Sequence, residues 1–169
     1  MQITKQTKLS EALKLGTKCS RNNNCCKHGS GCLINDDIKK ISKFLGITEE
    51  KLIKEYLDEK ELFNTKVLKP KLNSKDKPYG ECIFFDQKGC KIHEVKPLQC
   101  RVGNCSEHGE GLSIWFMLNY FVNKDDPESI RQYHTYLNSG GKTIKGGKLE
   151  DLVPDKEKLS KILSFDILK

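Results

Sequence analysis

The chain has 169 residues, 36% hydrophobic and 31% charged, and a formal net charge of +7 at pH 7. This is the length of one domain or of one domain with an appendage, and the low apolar content predicts a thin core with another stabiliser. The mixed charges exclude a disordered tail. The longest apolar stretch (112–122) is shorter than the roughly 20 residues that cross a bilayer. The start of the chain lacks the apolar run of a secretion signal, so we expect a cytoplasmic protein.

Lysine carries the positive charge, with 27 lysines and three arginines. Proteins that read nucleic acids rely on arginine, because its planar fork matches phosphate and guanine. A lysine surplus is more typical of a solvated surface. We therefore expect neither a nucleic acid nor a membrane as partner.

A first group of four cysteines has the spacing Cys-x5-Cys-Cys-x5-Cys: Cys19, Cys25, Cys26 and Cys32. Two helices are predicted after it. Asn35 is the expected N-cap of the first, which has Asp36 and Asp37 in its first turn and ends at Gly46. Thr48 is the expected N-cap of the second, over 49–57.

Residues 60–78 indicate an exposed connector, with a short strand over 62–68 as an option. A β-hairpin is predicted next, because Cys82-Ile-Phe-Phe and Cys90-Lys-Ile flank the four-residue loop 86–89. Such a hairpin would bring Cys82 and Cys90 close together. Pro97 then suits the first turn of a short helix that presents Cys100.

Beyond Cys105 the sequence has no cysteine and predicts helices over 112–122, from Asp126 to Gly140-Gly141, and over about 154–163. The middle helix has Pro127 at its first position and a stripe with the 3.6-residue period. The stripe consists of Ile130, Tyr133, His134 and Leu137. His134 is therefore predicted to be a packed, hydrogen-bonded core residue.

The expected fold is mainly α with a short β-hairpin. It consists of a small cysteine-cluster metal-binding domain over 16–108, organised around metal. A helical C-terminal extension over 109–169 is expected to pack on this domain as a cover.

Eight cysteines in one part of the chain allow three interpretations. Buried free thiols would lie on apolar helix faces, yet the clear helical segments contain none. Disulfides do not persist in a reducing cytosol. Metal ligation is favoured, with thiolates converging from loops and turns. The candidate ligands are Cys19, Cys25, Cys26, Cys32, Cys82, Cys90, Cys100 and Cys105.

Eight thiolates suit two four-coordinate sites of zinc or of iron–sulfur type. Zinc sites usually contain a Cys-x2-4-Cys knuckle, and only Cys100-x4-Cys105 has such spacing. The other spacings, and a Cys25-Cys26 pair whose side chains are expected to diverge, favour a polynuclear cluster or two neighbouring sites. Lys96 and Arg101 flank Cys100, where positive charge would offset that of a thiolate-ligated cluster, so both are predicted to contact the cofactor.

Residues 16–105 resemble the CxxCxxCC (YkgJ-like) family of zinc- or iron-chelating cysteine-cluster proteins. The resemblance rests on Cys19…Cys25-Cys26, a helix near Asp37-Ile38, Cys-Ile-Phe-Phe-Asp over 82–86, and Gly-Cys-Lys-Ile-His-Glu-Val-Lys-Pro-Leu-Gln-Cys-Arg over 89–101. The family pattern at the last segment is Cys-x-Ile-Tyr-x-x-Arg-Pro-x-x-Cys-Arg. This chain departs from it with His93 and Lys96, and it lacks one cysteine of the family's first motif.

The resemblance implies metal binding, and in this family generally an iron–sulfur cluster. We therefore predict one or two cysteine-ligated clusters, of [4Fe–4S] type, in redox or cluster-dependent modification chemistry with an unidentified protein or redox partner. Two alternatives stay open: a zinc-stabilised binding module without catalytic activity, and an enzyme that modifies a protein side chain, as the family's flagellin lysine N-methylases do. Whether His28, His93 or His108 adds a ligand or an acid–base group also stays open.

Overall fold

The computed structural model describes residues 2–17, 22–74, 77–103 and 105–169. Within them the helices are α1 Leu9–Gly16, α2 Asn24–His28, α3 Asn35–Leu45, α4 Glu49–Tyr56, α5 Leu98–Val102, α6 Gly109–Tyr120, α7 Pro127–Asn138, α8 Leu149–Leu152 and α9 Lys156–Leu163. The strands are β1 Leu57–Leu62, β2 Thr65–Pro70, β3 Phe85–Asp86 and β4 Gly89–Cys90. The predicted class, mainly α with a short β-hairpin, is confirmed.

Helices α3 and α4 form where the sequence predicts them. The N-cap of α3 is Ile34 and not Asn35, and the Asp37 carboxylate accepts the Ile34 N–H at 3.0 Å. Gly46 ends α3 with a φ of 66°, a conformation that glycine adopts without strain. Thr48 caps α4 by accepting the N–H of Lys51 at 3.1 Å.

The connector predicted after α4 is in fact a six-pair antiparallel hairpin of β1 and β2. Its turn residues Phe63 and Asn64 both have a positive φ, 50° and 58°, which matches the right-handed twist of the strands. The turn docks on α7, because the Asn64 N–H donates to Gln132 Oε1 at 2.9 Å and its Nδ2 donates to Asp126 Oδ2 at 2.7 Å. These partners lie more than 60 residues away, so local sequence reasoning could not find them.

The predicted cysteine hairpin exists, but it is tighter than expected. Phe85 pairs with Cys90 and Asp86 with Gly89, which leaves a two-residue loop where four residues were predicted. The Asp86 side chain closes this loop by accepting the N–H of Lys88 at 2.8 Å. The strands are therefore very short, and Cys82 precedes them.

Three buried clusters hold the elements together. The cysteine-side core contains Leu33, Ile41, Leu52, Leu57, Cys82, Phe84 and Ile92. The central core contains Ala12, Cys32, Val67, Leu98, Val102, Leu112, Trp115, Phe116 and Phe121. The C-terminal core contains Leu118, Ile130, Tyr133, Leu149, Leu152, Val153, Leu159 and Ile162. Helix α6 contributes to the last two and packs on α1 and α5.

The C-terminal helices follow the sequence prediction closely. Asp126 caps α7 by accepting the N–H of Glu128 at 3.0 Å, and Pro127 follows it. Tyr133 is fully buried, but His134 is only half-buried and bonds to the Asn138 side chain at 3.0 Å. The prediction of a hydrogen-bonded His134 is thus confirmed, whereas its place in the core is wrong. None of the helices in the described ranges is long and apolar enough to cross a membrane.

Candidate metal centre

Five cysteines line one cavity of about 600 Å³: Cys25, Cys26, Cys82, Cys90 and Cys100. They come from α2, from the segment before β3, from β4 and from α5. Backbone contacts hold these pieces together, since the Cys82 N–H donates to the Cys26 carbonyl at 2.8 Å. The fold therefore brings thiols from both cysteine groups to one place.

Cys25 and Cys26 point to the same side of α2, with their Sγ atoms 4.0 Å apart. The expectation that this pair diverges is wrong, because both residues lie in one helical turn that borders the cavity. The hydrogen bond between these two thiols, in which either sulfur can be the donor, lowers the pKa of the exposed Cys25 to about 6 and raises that of Cys26. The pair thus favours the thiolate form of Cys25, the form that binds metal.

Cys82 and Cys90 have the same local geometry. In both, burial raises the thiol pKa, while the backbone N–H two residues further on donates to the sulfur and opposes the rise. These donors are Phe84 for Cys82 and Ile92 for Cys90. Backbone N–H groups aimed at sulfur stabilise its anionic form, which is the form that binds metal.

Cys100 lies on α5, close against the loop before Cys32. Burial raises its pKa to about 12, and the backbone N–H of Gly31 donates to its sulfur. A Cβ placed on Gly31 would lie 2.5 Å from the Cys100 Sγ. Only glycine therefore lets the backbone approach the sulfur this closely.

Lys96 and Arg101, the two predicted cofactor contacts, lie in different places. Lys96 lines the cavity and its charge lowers the pKa of Cys25 and of Cys90. Arg101 is not among the described lining residues, and its Nη2 is 3.6 Å from the buried Asp37 carboxylate. Of these two predicted contacts, Lys96 is therefore the one placed to act on a bound group.

Two candidate ligands lie apart from the cavity. Cys32 is 5% exposed in the central core, and burial raises its pKa. Cys105 is exposed and its thiol donates to the Asn22 side chain at 3.1 Å. Cys19 lies outside the described residues, so its ligand role stays a prediction.

The three candidate histidines also differ in whether they line the cavity. His28 and His93 line the cavity, whereas His108 lies elsewhere with its Nε2 3.2 Å from a Glu107 carboxylate oxygen. Sequence reasoning missed Gly31 as a contact of Cys100. Its position between Ser30 and Cys32 carries no signal of this contact, which joins residues 69 positions apart.

The donor set fits a thiolate-bound metal. Sulfur ligands select zinc and iron–sulfur clusters over harder cations such as magnesium and calcium. Among the described lining residues there is no aspartate or glutamate, so the cavity carries positive side chains beside its thiols. In the described ranges no three His, Cys, Asp or Glu side chains are arranged around a single-ion position.

A comparison with protein families gives one match. The model of the CxxCxxCC family, described as "Putative zinc- or iron-chelating domain", matches residues 18–132. The matched range contains all eight cysteines and runs into α7. Searches of curated proteins and of solved structures return no match.

Proposed function

Because this chain belongs to the CxxCxxCC family, whose domain is described as chelating zinc or iron, and is therefore a metal-binding protein, we propose that it holds an iron–sulfur cluster of [4Fe–4S] type. The observation that supports this proposal is the convergence of five thiols on one cavity of about 600 Å³. Such a cluster takes four thiolates. Cys82, Cys90 and Cys100 supply three, and one member of the Cys25-Cys26 pair supplies the fourth.

The proposed role is redox chemistry or a cluster-dependent modification in the cytoplasm. Cys25 is exposed at the cavity, so a cluster bound beside it is within reach of a protein or redox partner. Lys96 places positive charge next to the sulfurs, which favours the more negative, reduced state. When bound, the cluster would supply one-electron transfer.

Zinc is the second candidate, because of one specific distance. Two thiolates on a tetrahedral zinc ion with bonds of about 2.3 Å lie roughly 3.8 Å apart. The Cys25 and Cys26 sulfurs are 4.0 Å apart. A zinc-stabilised binding module would thus use both members of the pair.

Anaerobic purification with iron, sulfide and zinc assays decides between the two candidates. We expect about four iron and four sulfide per chain for one cluster, with broad visible absorbance. A colourless protein with stoichiometric zinc would overturn the iron–sulfur proposal in favour of the zinc module.

Serine variants identify the ligands. We expect Cys82→Ser, Cys90→Ser and Cys100→Ser to lose most of the metal, and the double variant of Cys25 and Cys26 to lose it as well. The matched control is Cys32→Ala, since this cysteine lies in the central core. Loss of metal in a folded Cys32→Ala protein would return Cys32 to the ligand set.

A further inference from the structure

Asp37 is a buried carboxylate that joins two helices. It lies in the first turn of α3 and is 1% exposed. Its Oδ2 accepts the N–H of Ile34 at 3.0 Å and the N–H of Leu98 at 2.9 Å. Leu98 is the first residue of α5, so the same oxygen caps α3 and binds the start of the helix that carries Cys100.

The second oxygen of Asp37 contacts the other end of α5. Arg101 Nη2 lies 3.6 Å from Oδ1. The Arg101 Nε is buried and makes no hydrogen bond within the described part of the chain. Asp37 is therefore the carboxylate that faces this guanidinium among the described residues.

The position of Cys100 follows from these contacts. Leu98 and Arg101 bracket Cys100 on a helix of only five residues, which has little stability of its own. The Gly31 backbone lies close against the Cys100 sulfur. Without the Asp37 carboxylate, the first turn of α5 loses an N–H partner and the half-buried Arg101 loses its counter-charge.

We propose that Asp37 is the positioning residue of the metal ligand Cys100, holding α5 so that the sulfur faces the cavity. This inference rests on the proposed function. Partners one shell away from the metal orient its ligands, and their loss commonly costs metal affinity roughly ten- to hundredfold. Asp37 acts in this way through α5, without touching the metal.

The test measures how fast the metal-loaded protein transfers its metal to a chelator. We expect Asp37→Ala to release metal roughly tenfold faster than wild type. Asp37→Asn retains an oxygen that accepts the Leu98 N–H but loses the charge facing Arg101, so its rate should lie between the two. The matched control is Asp36→Ala, because this neighbour is an exposed acid in the same helical turn.

Site-resolved alkylation separates positioning from general destabilisation. In loaded Asp37→Asn, mass spectrometry should show a larger acceleration of labelling at Cys100 than at Cys90 on the β3–β4 hairpin, because metal release frees both thiols whereas loss of positioning frees Cys100 alone. Equal acceleration at both cysteines would overturn the inference. A rate of metal release from Asp37→Asn equal to that of wild type would also overturn it. This second variant keeps the test valid if Asp37→Ala does not fold.

The two proposals fail in different ways. Wild-type protein without metal would overturn the proposed function, and this inference with it. Loaded wild-type protein with unaltered Asp37 variants would overturn this inference alone.

Discussion

The C-terminal core and the cysteine cavity are built from different materials. In the C-terminal core, α6, α7 and α9 close on apolar side chains that are almost fully buried, such as Ile130 and Ile162. Around the cavity, thiols and backbone N–H groups face one another, and burial raises the pKa of Cys82 and Cys90. The first region is filled by packed apolar side chains, whereas the second gathers five thiols around a cavity that the protein itself leaves open.

Metal removal should destabilise the cysteine region and leave the C-terminal core intact. This is the largest effect that we expect. A structural metal contributes on the order of 10 kcal/mol to the fold that it organises. After chelation we expect hydrogen exchange to rise over 22–103 and much less over 109–163, because the cysteine region opens more often while its apolar core keeps it folded between openings. Uniform protection along both ranges would show that metal and fold are not linked as proposed.

A core substitution should do the reverse. Ile130 is fully buried in the C-terminal core, so Ile130→Ala should lower the free energy of unfolding by about 2–5 kcal/mol. Metal content at low temperature should equal that of wild type. A parallel loss of metal, measured by elemental analysis, would mean that the two regions fold as one unit.

Two glycines of one loop allow a matched test of how closely the backbone must approach the Cys100 sulfur for metal to bind. Gly31→Ala places a Cβ 2.5 Å from the Cys100 sulfur, whereas the nearest atom to a Cβ on Gly29 is 3.9 Å away. We expect Gly31→Ala to weaken metal binding roughly ten- to hundredfold and Gly29→Ala to leave it unchanged. Competition with a chromophoric chelator measures both. Equal affinities would mean that the loop moves aside.

The thiols of the metal-free protein should differ in reactivity. The hydrogen bond between Cys25 and Cys26 lowers the pKa of Cys25 to about 6, while burial raises that of Cys100 to about 12. At pH 7.5 iodoacetamide should label Cys25 about tenfold faster than Cys100. The rate at Cys25 should fall as the pH drops through about 6 and its thiolate is protonated. A midpoint near the ordinary thiol value would contradict the Cys26 hydrogen bond.

The smallest expected effect is a change in reduction potential that distinguishes the two cations next to Cys100 in sequence. Lys96 lines the cavity and Arg101 pairs with Asp37. In a cluster-loaded protein, Lys96→Met should make the reduction potential more negative by about 40 mV, equivalent to about 1 kcal/mol for one electron. Arg101→Met should change it less. A larger change for Arg101→Met, measured by redox titration, would place its charge nearer the cluster.

The sequence was sufficient to predict helix ends and turns that depend on neighbouring residues. The cap of α7 at Asp126-Pro127, the end of α3 at Gly46 and the turn between Phe85 and Cys90 depend on neighbouring residues, and all form close to where they were expected. Helices α1, α2 and α8 went unpredicted. Their stability comes from contacts with other elements, so the short segments carry a weak signal.

The cysteines show that local sequence also has limits in predicting which residues form the site. Residue type and spacing were enough to predict a metal site, and five candidates meet at one cavity. They were not enough to separate these from Cys32, which has the same side chain but lies in the central core. Likewise, the pairing of Arg101 with Asp37 spans 64 positions, and no periodicity encodes such a distance.

The β1–β2 hairpin has a mechanical consequence. Its turn is bound to α7 through Asn64, while at its other end the Pro70 carbonyl accepts the Ser30 hydroxyl at 2.6 Å and Pro70 borders the cavity. A ribbon of six residues per strand is about 20 Å long, so a tilt of about 3° at one end moves the other by about 1 Å. The hairpin thus joins the two regions physically, with its turn on α7 and its open end at the rim of the cavity.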